Sequence, residues 1–377
     1  MQSALTGARI FDGETLHERA ALVLEGDRIA TLIPVAELPP DLPRQHLTGV
    51  IAPGFIDLQV NGGGGRMVDG TTDLAFLTDL CALHRRLGTA GILPTLITDT
   101  PEATAAVIAA GVAATRAQVP GFLGLHLEGP HLDPRRKGAH DPALIRPMTP
   151  DDLNRLCDAA RALPALMVTL APESATPDQI ATLTAAGAVV SLGHSDCSYD
   201  VALAAHRAGA RIATHLFNAM SQIGNREPGL VGAVLTSGLG AGIIADGIHV
   251  HPATLRLALA AKPDGLFLVS DCMAFAGSDA TELRLNGRLV LRRNSRLTLE
   301  DGTLAGADLT LPRAVPLLIG QANCPPERAL AMATRIPAGI IDAPLGCLQP
   351  GVAADLVHLT DDWTLRATCQ AGQWSLA

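Results

Sequence analysis

Short apolar runs alternate with helical segments along the middle of the chain. Eight such runs begin near residues 50, 91, 121, 166, 188, 211, 241 and 266. Most are continuously apolar rather than alternating, which is typical of parallel strands covered on both faces. Segments of helical periodicity fill most of the gaps, and several begin with Thr, Ser or Asp before Pro or an acidic residue. The pattern predicts an α/β fold, a (β/α)8 barrel of the TIM type.

The two ends of the chain have a different character. Residues 1–49 and 346–377 consist of short strand-like runs and turns, so we expect both ends to pair into one small β-sandwich domain. The barrel, as the catalytic domain, is then predicted over residues 50–345. A further hairpin-like stretch, "ELRLNGRLVLRRNSRLTLEDGTLAG", follows the eighth apolar run, with "NG" and "DG" as turn signals.

Composition narrows the classes of function. Hydrophobic residues make up 48% of the 377 residues and charged residues only 17%, so much of the chain must be buried. A net charge of −9 with 3% aromatic residues argues against nucleic-acid binding. The chain shows neither a secretion signal nor a plausible membrane helix. Its seven cysteines lack CxxC spacing, which favours reduced thiols and a cytoplasmic location.

Polar residues follow the apolar runs, at the ends that a parallel barrel gathers on one face. These residues are Asp57, Gln59, Asn61, Thr98, Glu128, Glu173, His194, His215, Asn218, Asp246, His249 and Asp271. Glu128, His194 and His215 offer one oxygen and two nitrogen ligands, a set that suits Zn²⁺ or a similar divalent ion with one position left open. Asp271, which ends the eighth run, is then placed to take a proton from the attacking water.

Each of these residues also has a structural interpretation. A single Glu at a strand end is more often a helix cap or a solvated loop residue, and a single His is often only hydrogen-bonded. Four such residues at four strand ends are much harder to explain in that way. The glycine-rich "NGGGGR" at 61–66 lacks the lysine of a phosphate-binding loop and is interpreted as a tight turn. His126 and His131 are interpreted as wall or packing residues.

Several segments together resemble one known family. "PGFIDLQVNG", "GLHLEGPHLDPRRKGAH", "LGHSDCSYDVALAAHRAGARIATHLFNAM", "IIADGIHV" and "LVSDCMAFAG" are similar to signature segments of the N-acetylglucosamine-6-phosphate deacetylases, within the metal-dependent amidohydrolase superfamily. The resemblance covers essentially the whole chain. It implies a barrel with a β-sandwich, a divalent metal ion, and hydrolysis of N-acetylglucosamine 6-phosphate to glucosamine 6-phosphate and acetate.

The resemblance also implies roles for individual residues. Glu128, His194 and His215 match the metal ligands, Asp271 matches the catalytic carboxylate, and His140 matches the residue that polarises the acetamide carbonyl. The matching substrate contacts are Gln59, Ala139, His140, Asn218, Ala219, Arg226, His249, Leu304, Ala305 and Gly306. Arg226 offers a planar fork to phosphate oxygens, although a surface salt bridge is the alternative.

One departure concerns the number of metal ions. Many amidohydrolases carry His-x-His after the first strand, whereas this chain has Gln59 and Asn61. Amides are poor ligands, so one ion is expected, with zinc favoured and Fe²⁺, Co²⁺ or Mn²⁺ also compatible. The family implies a homodimer or homotetramer that places Arg226 and His249 near a partner subunit. Two alternatives stay open: an amidohydrolase for another amide, such as N-acetylgalactosamine 6-phosphate or a cyclic amide, and a catalytically silent binding barrel.

Overall fold

Eight parallel strands form the centre of the molecule, in a computed structural model that describes residues 2–285 and 287–376. In sheet order they are Phe55–Val60, Thr89–Ile97, Leu125–Glu128, Leu166–Leu170, Val189–Leu192, Ile212–Ala213, Gly240–Ile243 and Leu266–Leu268. The sheet closes just beyond its edge strands, where the N–H of Asp271 donates to the carbonyl of Gln59 at 3.1 Å. The predicted (β/α)8 barrel is confirmed.

Helices cover the outside of the barrel. The α-helices are Leu74–Arg86, Pro101–Arg116, Pro150–Ala162, Pro177–Ala185, Tyr199–Arg207, Gly229–Thr236, Pro252–Ala261, Leu311–Ala322, Pro326–Ala333 and Arg335–Ile340, with 3₁₀ turns at Val35–Glu37 and Pro134–Arg136. Thr100, Thr149 and Thr176 each precede a proline, and each side chain accepts the N3 backbone N–H, which explains where these helices begin. Within the described residues, none of the helices has the length and hydrophobicity that a membrane span requires.

Two antiparallel-rich sheets lie beside the barrel. The four-stranded sheet contains Gln2–Thr6, Ala20–Glu25, Arg28–Pro34 and Arg44–His46. The six-stranded sheet contains Arg9–Phe11, Leu16–His17, Val50–Pro53, Leu356–Leu359, Leu365–Gln370 and Gln373–Leu376. Leu22, Ile51 and Leu356 belong to one buried apolar cluster between them. Both ends of the chain therefore contribute to one small sandwich, as the sequence predicts.

The first apolar run differs from its prediction. The run that begins at residue 50 is divided, because Val50–Pro53 pairs with Leu356–Leu359 in the six-stranded sheet and only Phe55–Val60 enters the barrel. Gly54 separates the two strands, and a Cβ at this position would lie 2.7 Å from the Cβ of Ala90. Only glycine permits so close an approach of the two backbones. The domain limits given above stay a prediction.

An antiparallel sheet covers one side of the barrel mouth. Its strands are Glu282–Leu285, Arg288–Arg293, Arg296–Leu299 and Leu304–Ala307, and we call them the lid sheet. Val290 and Leu297 pack with Phe275 in a separate buried cluster. The N–H of Ala307 donates to the carbonyl of Asp271 at 2.9 Å, which attaches the last strand of the lid sheet to the end of the barrel. The predicted hairpin therefore lies next to the strand ends.

Gly124, which precedes the third barrel strand, provides a test of this close packing. Its φ is +134°, and an added Cβ would lie 2.0 Å from the carbonyl oxygen of Ala165. We expect Gly124→Ala to cost about 3 kcal/mol of folding free energy through strain and steric overlap. Thermal unfolding should show a midpoint several degrees below that of the unsubstituted chain.

Gly26 is the matched control for this substitution. Its φ is +62° with no atom within 4 Å of an added Cβ, so Gly26→Ala should cost only about 1 kcal/mol. Equal midpoints for the two variants would contradict the packing that is described around Gly124.

Candidate functional site

A carboxylate and two imidazoles converge at the carboxyl ends of the barrel strands. Glu128 ends the third strand, and His194 and His215 follow the fifth and sixth. Glu128 Oε1 lies 3.1 Å from Nε2 of both His194 and His215, and the two nitrogens are 3.1 Å apart. All three residues are buried. The structure thus brings together the three residues that the sequence predicts as metal ligands.

The protonation of His194 tests whether this cluster fits a metal ion. Its Nδ1 lies 2.8 Å from the carbonyl oxygen of Arg136, which can only accept, so in the neutral ring Nδ1 carries the proton and Nε2 keeps its lone pair. That lone pair faces the Glu128 carboxylate oxygen at 3.1 Å, and two acceptors so close repel unless a cation lies between them. Nε2 of His215 faces the same carboxylate oxygen, also at 3.1 Å. The donor set fits a divalent ion such as zinc.

Both histidines have an uncommon backbone conformation, and a neighbouring loop holds the ring of His194. His194 and His215 have positive φ values of 48° and 28°, a conformation that is uncommon outside glycine and recurs at functional sites. Arg136, whose carbonyl accepts from His194, forms an ion pair with Asp196 at 2.6 Å. The N–H of Asp133 donates to the carbonyl of His194 at 2.9 Å. The loop around residues 133–136 therefore fixes the orientation of the His194 ring.

Asp271 lies beside the cluster, and among the described residues only its Oδ1 accepts side-chain hydrogen bonds. Its Oδ1 accepts from the amides of Asn61 at 2.7 Å and Gln59 at 3.2 Å, which leaves Oδ2 available. Burial, together with the charge of Glu128, raises the pKa of Asp271 to about 6. Asp271 also adopts a positive φ of 50°. A carboxyl group of this kind is suited to exchange protons near neutral pH.

Gln59 lies between two carboxylates of the site. The sequence placed Gln59 among the substrate contacts, but its side chain is buried and does not line the cavity. Its amide nitrogen donates to Glu128 Oε2 and to Asp271 Oδ1, each at 3.2 Å. The physical reason is that two carboxylates flank this amide, and an NH₂ group satisfies both. Gln59 therefore orients the two carboxylates, and its contact with a substrate stays a prediction.

A cavity of about 270 Å³ opens above these residues. Besides the three cluster residues, Asn61 and Asp271, it is lined by Met67, Ile97, Gly138, Ala139, His140, Asn218, Ala219, Ile244, His249, Met273, Thr303, Leu304, Ala305 and Gly306. The structure thus gathers most of the predicted substrate contacts. Asp246 accepts from Nδ1 of His249 at 2.7 Å, so the other ring nitrogen of His249 is left for the cavity.

Arg226 is the second predicted contact that does not line the cavity. Its side chain is exposed and does not line the cavity, so the predicted phosphate contact is not formed within a single chain. The neighbouring Glu227 explains this placement, because its carboxylate accepts the backbone N–H groups of Tyr199 at 2.7 Å and Gly229 at 3.0 Å. These bonds hold the loop against two outer helices.

Six lining residues were not found from the sequence. They are Met67, Ile97, Gly138, Ile244, Met273 and Thr303. Four of them are apolar, and an apolar residue that lines a cavity looks like a core residue in the sequence. Thr303 directly precedes the predicted contacts Leu304 to Gly306, which was the only available signal. The apolar wall is suited to a small hydrophobic group such as a methyl.

Comparison with known proteins agrees with this geometry. Residues 50–370 match the model of the amidohydrolase family, and residues 3–51 match that of the NagA composite domain. The chain belongs to the amidohydrolase family. This amidohydrolase is 41% identical over 373 residues to the N-acetylgalactosamine-6-phosphate deacetylase of Shewanella sp. (strain ANA-3), covering 97% of this chain and 94% of that one.

Two solved structures resemble the amidohydrolase closely. The N-acetylglucosamine-6-phosphate deacetylase from Pasteurella multocida is 35% identical with a TM-score of 0.94, and the match covers 100% of both chains. A mutant deacetylase from Mycobacterium smegmatis, in complex with N-acetyl-D-glucosamine-6-phosphate, is 32% identical with a TM-score of 0.91, again over 100% of both chains. The architecture of barrel and sandwich is thus shared over the full length.

Glu128→Gln tests the proposed metal cluster. The substitution keeps the shape of the side chain but replaces the anionic ligand with a neutral amide, so we expect metal content to fall from about one ion per chain to near zero. Metal analysis after dialysis against a dilute zinc buffer would measure this. Glu102→Gln, at an exposed helix position, should keep its metal. Retention of a full complement of metal by Glu128→Gln would show that the cluster is not the site.

Proposed function

We propose that this amidohydrolase removes the acetyl group from N-acetylglucosamine 6-phosphate, with glucosamine 6-phosphate and acetate as products. The observation that carries the proposal is a single cavity that contains the Glu128, His194 and His215 cluster next to Asp271 and His140. Similarity to deacetylases of amino sugar phosphates over the whole chain supports the same substrate class. None of the predicted ligands is lost, which argues against a silent barrel.

Glu128, His194 and His215 would hold one divalent ion. When bound, the ion supplies Lewis acidity that polarises the acetamide and lowers the pKa of water. Gln59 bridges Glu128 and Asp271 by donating to both, and its amide leaves this position without a ligand for a second ion. These contacts support one ion per chain, and the ligand set favours zinc.

Asp271 would transfer the proton in two stages. Oδ1 is engaged by two amides, so Oδ2 takes the proton from the attacking water. The same oxygen then delivers it to the amine nitrogen as the C–N bond breaks. A pKa raised to about 6 by burial suits both directions of transfer. His140, which lines the same cavity, would donate a hydrogen bond to the acetamide carbonyl.

The remaining lining residues would hold the sugar and its phosphate. His249, Asn218 and the backbone from Ala305 to Gly306 offer polar groups along the cavity wall. Arg226 is exposed and outside the cavity of its own chain, which supports a contact across a subunit boundary in a homodimer or homotetramer. We also propose a cytoplasmic location, which the seven free cysteines of the described residues support.

N-acetylgalactosamine 6-phosphate is the second candidate substrate. The relative from Shewanella that bears this name is 41% identical, whereas the Pasteurella deacetylase of the gluco isomer is 35% identical. Both substrates carry the same acetamide and 6-phosphate on the sugar ring, and they differ only in the configuration of one hydroxyl group. The proposed chemistry of the cluster is the same for both.

Asp271→Asn tests the proton transfer. The amide cannot accept a proton, so we expect kcat to fall by about 10²–10⁴-fold while metal content and substrate affinity are kept. Steady-state acetate release and metal analysis would measure both. Asp279→Asn, at an exposed position on the same loop, should retain full turnover. Turnover of Asp271→Asn near that of the unsubstituted enzyme would rule out the proposed role.

Acetate release also tests the substrate. The zinc-loaded protein should hydrolyse N-acetylglucosamine 6-phosphate with a kcat/KM at least about 100-fold above that for N-acetylglucosamine, because charged contacts to phosphate contribute several kcal/mol. N-acetylgalactosamine 6-phosphate is measured in parallel, and a higher kcat/KM for this isomer would select the second candidate. Equal rates with and without phosphate would contradict a phosphorylated substrate.

A further inference from the structure

Thr98 follows the second barrel strand and contacts the ring of His140 twice. The backbone N–H of Thr98 donates to His140 Nδ1 at 3.3 Å, and the Thr98 hydroxyl lies 2.8 Å from the same nitrogen. Thr98 and His140 are both buried. Since a backbone N–H can only donate, Nδ1 must carry a lone pair. The single proton of the neutral ring is therefore on Nε2.

The second ring nitrogen faces the site. His140 lines the cavity, and its Nε2 forms no hydrogen bond within the part of the chain that the structure describes. The ring lies edge-on to His194, with ring centroids 4.3 Å apart. An N–H in this place donates to a ligand, whereas a lone pair in the same place would be a further nitrogen ligand for a metal ion. The position of the ring proton therefore decides whether His140 donates a hydrogen bond to a ligand or binds a metal ion.

We propose that Thr98 is a positioning residue that fixes the tautomer of His140, so that His140 acts as a hydrogen-bond donor to the acetamide carbonyl and not as a metal ligand. This inference rests on the proposed function for its catalytic consequence. Its structural content, the proton on Nε2, is independent of any substrate.

The surroundings of Thr98 leave the hydroxyl little freedom. Ile97 pairs with Glu128 across the two neighbouring strands, so the backbone N–H of the next residue is fixed by the same strand pair that carries a predicted metal ligand. A Cβ at Gly129 would lie 2.2 Å from Thr98 Oγ1, which shows how closely this glycine covers the hydroxyl. The hydroxyl is therefore held against Nδ1 and reinforces the bond from the backbone.

Thr98→Val tests the proposal, because valine keeps the shape of threonine and removes only the hydroxyl. We expect kcat for N-acetylglucosamine 6-phosphate to fall about 10-fold with KM changed by less than about 2-fold, which corresponds to one hydrogen bond. Thr98→Ser restores the hydroxyl and should recover most of kcat. If the galacto isomer proves to be the better substrate, the same comparison is made with that sugar.

Thr89→Val is the matched control. Thr89 lies on the same strand, is buried, and has a hydroxyl without a hydrogen-bond partner among the described residues. This variant should keep the kcat of the unsubstituted enzyme. Thermal unfolding of all three variants checks that each is folded.

Nitrogen NMR of zinc-loaded protein with ¹⁵N-labelled histidine measures the tautomer directly. The His140 signals are assigned by their loss in His140→Asn, and in the unsubstituted protein we expect the shift of a protonated Nε2 and an unprotonated Nδ1. In Thr98→Val the two shifts should move towards each other as the tautomers mix.

The outcomes separate the two proposals. A protonated Nδ1 in the unsubstituted protein overturns the inference, whether or not any variant folds. A loss of kcat in Thr98→Val without a change in the ¹⁵N shifts also overturns it. If the enzyme releases no acetate from any of the sugars, the proposed function fails, while the NMR result still decides the tautomer.

Discussion

A carboxylate oxygen and two imidazole nitrogens lie 3.1 Å from one another in a buried site. The barrel strands and the neighbouring side chains hold them in this arrangement. Burial without a cation would be unfavourable for such a set, because water is not available to separate the acceptors. Three barrel strands end close to one another, and this brings the three side chains together. Asp271 is a second carboxylate close to Glu128, and Gln59 offsets the repulsion between the two by donating to both.

Backbone groups decide what two imidazoles of the site, His194 and His140, can do. The carbonyl of Arg136 accepts from Nδ1 of His194, which leaves Nε2 of that ring as a ligand. The N–H of Thr98 instead donates to Nδ1 of His140, which leaves Nε2 of that ring as a donor. Two rings whose centroids are 4.3 Å apart are therefore given opposite roles by opposite partners. Neither partner depends on a side chain, so substitutions that spare the backbone preserve part of each assignment.

The fold and the centre of the site were predictable because both follow from chain periodicity. A parallel barrel gathers its strand ends, so Glu128, His194, His215 and Asp271 were expected to lie together before any geometry was known. The positions of Gln59 and Arg226 relative to the cavity were not predictable, since the direction of a side chain at a strand end and the path of a loop depend on tertiary contacts. The apolar wall, with Met273 and Ile244, left no signal because a sequence does not distinguish a cavity from a core.

The sharing of one sheet by both ends of the chain has a consequence for biosynthesis. His358 in the strand Leu356–Leu359 donates from Nε2 to the carbonyl of Thr48 over a separation of 310 residues, and the same strand pairs with Val50–Pro53. The early strands therefore leave the ribosome with an unpaired edge long before their partner is translated. Such an edge is prone to association with other chains, so this segment is where a nascent chain would need protection by chaperones.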